Sequence, residues 1–189
     1  MSCATPHHRD VFDRLPALAS DMLARAKNAV DGSERKTLEH LSIATECLDR
    51  DTPQARKLLL ADVARFCPKG ARTIYCIETQ QGADAAACLR AFAARPDGDR
   101  KFARNNGIES CCLYVGSSVH MAQRLKEHLG FGAAGTYALL LAYWAADLGC
   151  GFMLTCATYD DRTPPLAIQT MEDALWDELR PMFGRRGMR

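Results

Sequence analysis

No two cysteines in this sequence are spaced CxxC, although nine cysteines are present. A zinc ribbon or a thioredoxin-like dithiol is therefore not expected. No apolar run reaches the roughly 18 residues a membrane helix needs, and the longest, 137–146, falls far short. A charge excess of one sign is missing too: 24 Lys and Arg face 23 Asp and Glu, a net +1. The whole-chain balance thus does not mark a nucleic-acid binder, and any such surface has to be local. The first ten residues are polar, without the apolar stretch of a leader. Internal repeats and low-complexity tracts are missing. Together these point to a cytoplasmic protein with no membrane partner, whose reduced thiols pack as small hydrophobes.

What is present suffices for a packed core: 189 residues, 48% of them hydrophobic, enough for one or two small domains. Residues 16–30 carry Leu18, Met22, Leu23 and Ala26 at helical spacing, and Asp31-Gly32 breaks the pattern. Ser33 is expected to cap a second helix with Leu38, Leu41, Thr45 and Leu48 on one face. Thr52-Pro53 starts a third, ending near Phe66. Residues 1–70 are accordingly read as a helical N-terminal region. After the Cys67-Pro68-Lys69-Gly70 break the pattern becomes mixed. Strands are expected at 73–78, 111–115 and 152–157, and helices at 85–94, 119–129, 137–146 and 165–179. The fold class is α+β: a small three-stranded antiparallel sheet flanked by helices, in a domain spanning 71–189. The apolar run holding Tyr137, Leu139, Leu140, Leu141, Tyr143 and Trp144 is read as core rather than as a platform for bases.

Four pieces of the second part carry chemistry. Tyr75 lies in the first of these strands. Leu113-Tyr114-Val115-Gly116-Ser117-Ser118 ends the second. Arg124, Lys126 and His128 follow on a helix, and Glu172 sits on the last helix, nine positions before Pro181. A guanidinium matches phosphate oxygens and offsets transition-state charge. A tyrosine beside a cation can help move a proton, although its ordinary pKa is about 10. A carboxylate suits Mg²⁺, a hard ion that takes one or two protein oxygens and keeps most of its waters. The Gly-Ser-Ser turn offers backbone donors to an anion.

In this order and spacing the chain resembles the GIY-YIG nuclease superfamily over about its last two-thirds. Tyr75 matches the first-motif tyrosine, and Tyr114-Val115-Gly116 the second motif. Arg124 matches the catalytic arginine, His128 a histidine of many members, Glu172 the metal-binding glutamate, and Pro181 a proline near the end. The resemblance implies a metal-dependent endonuclease that hydrolyses phosphodiester bonds, in DNA rather than RNA, using Mg²⁺ or Mn²⁺. It implies that Glu172 holds the metal, that Arg124 neutralises the phosphate, and that Tyr75 and Tyr114 handle the attacking water. Which of the two is the base stays open; His128 assists.

Three departures stand out. Thr73 replaces a glycine. An insertion at about 79–110 separates the two tyrosines. Gly184 stands where the family has an asparagine. The expected nucleic-acid contacts are Gly116, Ser117 and Lys126, with Arg100, Lys101 and Arg104 from the insertion; Lys126 could equally be plain surface. The Thr73 and Gly184 departures motivate an alternative: a catalytically lapsed module that only binds nucleic acid.

Overall fold

The computed structural model describes residues 6–80, 85–95, 99–133 and 135–187, with side chains from residue 14 onward. Parts of the insertion expected at about 79–110 and the last two residues lie outside the described residues.

Five helices and four strands are described. In chain order they are α1 (Pro6–Asp31), β1 (Arg35–Ile43), α2 (Pro53–Phe66), β2 (Arg72–Thr79), α3 (Ala85–Ala93), β3 (Cys112–Ser118), α4 (Met121–Leu129), β4 (Phe152–Tyr159) and α5 (Pro165–Leu179). The strands form one antiparallel sheet in the order β1-β4-β2-β3. The α+β class thus stands, with four strands instead of three.

The extra strand corrects the reading of residues 1–70 as helical. Ser33 does not cap a helix ahead of it; its hydroxyl donates back to the Ala29 carbonyl at 2.6 Å and finishes α1. The following residues alternate: Thr37, Glu39, Leu41 and Ile43 are the more buried set, and Lys36, Leu38, His40 and Ser42 are exposed. That two-residue period belongs to a half-covered strand, and here it outweighed the helical spacing of Leu38, Leu41, Thr45 and Leu48. The apolar stripe of α1 is also not core. Leu18, Met22 and Leu23 are exposed, and Ala26 alone of the four expected positions is buried.

The sheet separates two apolar layers. Tyr75, Ile77, Leu113, Phe152, Leu154 and Cys156 pack with Leu59 and Val63 of α2, Cys88 and Phe92 of α3, and Leu125 and Leu129 of α4. On the other side, Cys76, Cys112 and Val115 meet Leu175, Trp176 and Leu179 of α5. A fully buried Leu or Phe contributes about 1.5–3 kcal/mol over its exposed state, so the first layer dominates stability. The insertion is part of this body: Phe92 of α3 lies 4.3 Å from Phe183, ring to ring.

Two further readings need correction. Residues 137–146 form no α-helix; short 3-10 turns at Leu141–Tyr143 and Ala146–Leu148 replace it, and Leu140 takes a left-handed φ of 55°. Backbone atoms of this segment serve side chains of other elements instead of a helical ladder, as shown below. The Gly-Ser-Ser segment is no turn either: Gly116, Ser117 and Ser118 pair with Tyr75, Ile74 and Thr73 as the end of β3. No helix among the described residues is long and apolar enough to cross a membrane.

Residues 71–189 alone are expected not to fold cooperatively, because β4 would lose β1 and the main layer would lose Leu59 and Val63. A thermal melt of that fragment by circular dichroism checks this; a sharp transition close to that of the full chain would show two independent units.

Candidate active site

Pairing of β2 with β3 sets Tyr75 opposite Gly116. The period of two puts Tyr114 on the same face, two pairs along, opposite Ile77. The rings of Tyr75 and Tyr114 stack with centroids 6.1 Å apart and planes 17° apart. Gly116 is what permits this. A Cβ there would lie 2.8 Å from Tyr75 Oη and 2.9 Å from the Tyr114 ring. Gly184 has a related part: at φ 109°, it presses on the other edge of Tyr114, where a Cβ would come within 3.0 Å of the ring. The chain after α5 reaches that position by running along β3, with the Met182 and Phe183 amides donating to the Cys112 and Leu113 carbonyls.

Just beyond β3, Ser118 Oγ accepts the His120 amide at 3.0 Å, and α4 then carries Arg124 over the two phenols. Its Nε donates to Tyr75 Oη at 3.2 Å and one Nη donates to Tyr114 Oη at 3.1 Å. That same Nη donates to the Tyr137 carbonyl at 2.9 Å, and the other Nη to Glu127 at 2.8 Å. A guanidinium has five N–H bonds; four partners among the described residues hold it. Burial opposes the charge on Arg124, but the phenols of Tyr75 and Tyr114 and the Glu127 carboxylate more than offset that and raise its pKa further.

His128, one turn further along α4, is fully buried behind Tyr75. Its Nδ1 accepts the Leu139 amide at 3.2 Å, and its Nε2 lies 2.9 Å from Tyr75 Oη. Nδ1 therefore carries no proton, so in the neutral ring the proton is on Nε2 and points at Tyr75. Burial, helped by the Arg124 charge, pushes the His128 pKa well below its ordinary value, which keeps the ring neutral. His128 thus orients Tyr75 and does not face the cleft. Tyr75 Oη accepts from both His128 and Arg124. Burial raises its pKa far above that of a free phenol despite the Arg124 charge, so at neutral pH Tyr75 keeps its proton.

Tyr75, Tyr114, Arg124 and Glu172 all line one cleft of about 770 Å³. Glu172 is only 8% exposed, and its Oε2 has no hydrogen-bond partner among the described residues. A buried carboxylate oxygen without a donor is costly unless a cation or water satisfies it. Among the described residues no three His, Cys, Asp or Glu side chains come together as a ready-made metal cage. One open carboxylate suits Mg²⁺, which takes few protein oxygens and draws the rest from water and phosphate.

The remaining expected contacts divide. Gly116, Ser117 and Arg104 line the cleft. Arg100 and Lys101 do not; they lie over the Tyr143 and Tyr137 rings at 4.4 and 5.5 Å. Lys126 is exposed and is not among the residues lining the cleft. Two residues on from Arg124, it is turned about 200° round the helix. It therefore lies on the exposed face of α4, outside the cleft lining.

Several lining residues were not foreseen: Glu127, Tyr137, Gln169, Phe102 and Arg95. The i,i+3 spacing of Arg124 and Glu127 could have signalled the first. Nothing in the pattern around Tyr137 told its side chain from the core residues that follow it. No known protein family, curated protein or solved structure matches the chain.

Gly116→Ala is expected to push the two tyrosines apart and destabilise the fold by about 1–3 kcal/mol, read by denaturant unfolding. Because folded His128 resists protonation, the unfolded chain binds more protons below about pH 6.5, and stability should fall as pH drops through that point. His128→Gln should remove that share of the decline, seen as a shallower loss of melting temperature between pH 7.5 and 5.5.

Proposed function

We propose that the chain is a metal-dependent endonuclease of GIY-YIG type that hydrolyses a DNA phosphodiester in this cleft. The reading is carried by one observation: the two phenols, the guanidinium and the Glu172 carboxylate, whose Oε2 has no hydrogen-bond partner among the described residues, line a single cleft although up to 97 positions separate them, from Tyr75 to Glu172. Arg95, Arg104, Arg124 and Arg185 line the same cleft against Glu127 and Glu172. The near-neutral chain thus concentrates cations where a phosphate strand would lie. The proposed setting is the cytoplasm, with thiols kept reduced; the eight described cysteines are free.

The residues divide the labour as follows. Arg124 faces the scissile phosphate with its remaining N–H. Tyr75 holds its proton on Oη and orients the attacking water. Tyr114, half-buried and hydrogen-bonded through Oη to Arg124, is the side chain we assign as base: as the phenolate held by the Arg124 guanidinium it takes the water's proton and becomes the neutral phenol. Glu172 would hold Mg²⁺ or Mn²⁺, which stabilises charge on the leaving oxygen.

The alternative, a lapsed module that only binds nucleic acid, is favoured by two features. Four of the Arg124 donors are already taken internally. Gly184 supplies no side chain at the family's asparagine position, and its contact with Tyr114 leaves none room.

A plasmid-nicking assay separates the two. The wild type is expected to nick with Mg²⁺ and not with chelator. Glu172→Gln and Arg124→Ala should each lower the rate by at least about a hundredfold with the fold intact by circular dichroism. DNA binding without nicking by the wild type would favour the lapsed module; undiminished nicking by either variant would remove that residue from the mechanism.

A further inference from the structure

Of the aromatic residues in the apolar run 137–144, Tyr137 stands apart. The residues after it, Ala138, Leu139, Leu140 and Leu141, are 0–4% exposed, while Tyr137 is 59% exposed. It lines the rim of the cleft. Its backbone is fixed: the carbonyl accepts from Arg124 at 2.9 Å, and the next residue, Ala138, exchanges backbone hydrogen bonds with Ala103 and Lys101 of the insertion. Lys101 Nζ lies 5.5 Å from the ring centroid. An exposed ring on an anchored backbone, with an ammonium near it and the Arg124 guanidinium one hydrogen bond away, presents a flat aromatic face beside two cations.

We infer that Tyr137, with Lys101, is a stacking platform for an unpaired nucleobase next to the scissile phosphate. Its substrate is therefore a DNA strand carrying a single-stranded, bulged or extruded nucleotide at the cutting point. The inference rests on the nuclease reading and narrows its substrate class. A base within a duplex has both faces covered by its neighbours and presents neither to a protein ring; a single-stranded or extruded base does. Stacking on an aromatic side chain is tolerant of base identity, so the platform selects strand structure and not sequence. Lys101 strengthens the site twice, as a cation over the ring and as a charge beside the backbone of the same nucleotide.

The experiment uses the full chain carrying Glu172→Gln, to prevent cutting, with 2-aminopurine placed in three DNAs: a single strand, a duplex with a one-nucleotide bulge, and a fully paired duplex. The protein is expected to quench the probe in the first two and not in the third. Adding Tyr137→Ala should abolish the quenching and weaken binding to both unpaired DNAs about tenfold, the usual effect of removing one stacking ring. Paired duplex affinity should stay within twofold. Tyr137→Phe should behave as Tyr137, which separates the ring from its hydroxyl. Because the ring is exposed, the melting temperatures of both variants should match the parent.

If Tyr137→Ala leaves unpaired-DNA affinity within twofold, or lowers paired and unpaired affinity alike, the platform is refuted while the nuclease reading survives. If the chain binds none of the three DNAs and the wild type does not nick, both fall, and the exposed ring belongs to a protein contact.

Discussion

The Arg124 guanidinium is the point on which the site hangs. It is largely buried, with its side chain 17% exposed, and a buried cation is tolerable only when its donors are met. The groups that meet them come from four places in the chain: Tyr75 on β2, Tyr114 on β3, Glu127 on α4 itself and the Tyr137 carbonyl beyond it. Each partner is thereby fixed relative to the others. The stacked phenols owe their alignment as much to this shared donor as to the strand pairing, and Gly116 leaves the space in which it happens. Behind this front lies His128, whose single proton points outward to Tyr75 because the Leu139 amide occupies its other nitrogen. The result is a chain of directed hydrogen bonds that ends at the cleft.

Much of this was legible from residues alone, and for a specific reason. Tyr75, Tyr114, Arg124 and Glu172 sit on regular elements whose periods are strong: a buried strand, a second strand paired with it, and two helices opened by clear breaks. Once β2, β3, α4 and α5 form, the positions of those side chains follow. The strand Arg35–Ile43 was misread because Leu38, Leu41, Thr45 and Leu48 also fit a helical period, and only neighbouring β4 decides between the two. The run 137–146 was misread for the opposite reason. Continuous apolarity carries no period, and Leu140 turns the backbone into a left-handed conformation that no composition announces.

The insertion between the tyrosines changes meaning once it is seen in place. It is not an appendage: Phe92 joins the core, the Arg104 carbonyl accepts the Gly184 amide, and Asn106 holds the Pro181 carbonyl. Residues 99–110 thus brace the segment after α5, which in turn backs Tyr114. One wall of the cleft is built from the part of the chain that departs most from the resemblance, and the wall that holds Tyr75, Tyr114 and Arg124 is built from the part that departs least.

The segment through Tyr137 and Leu139 is tied to the site by a carbonyl and an amide, not by side chains. Main-chain groups are the same whichever amino acid supplies them. The exposed ring at position 137 could be exchanged for another without breaking the bond its own carbonyl makes to Arg124. What the surface presents at the rim of the cleft is thus uncoupled from how Arg124 and His128 are held, and position 137 is free to vary on an unchanging frame.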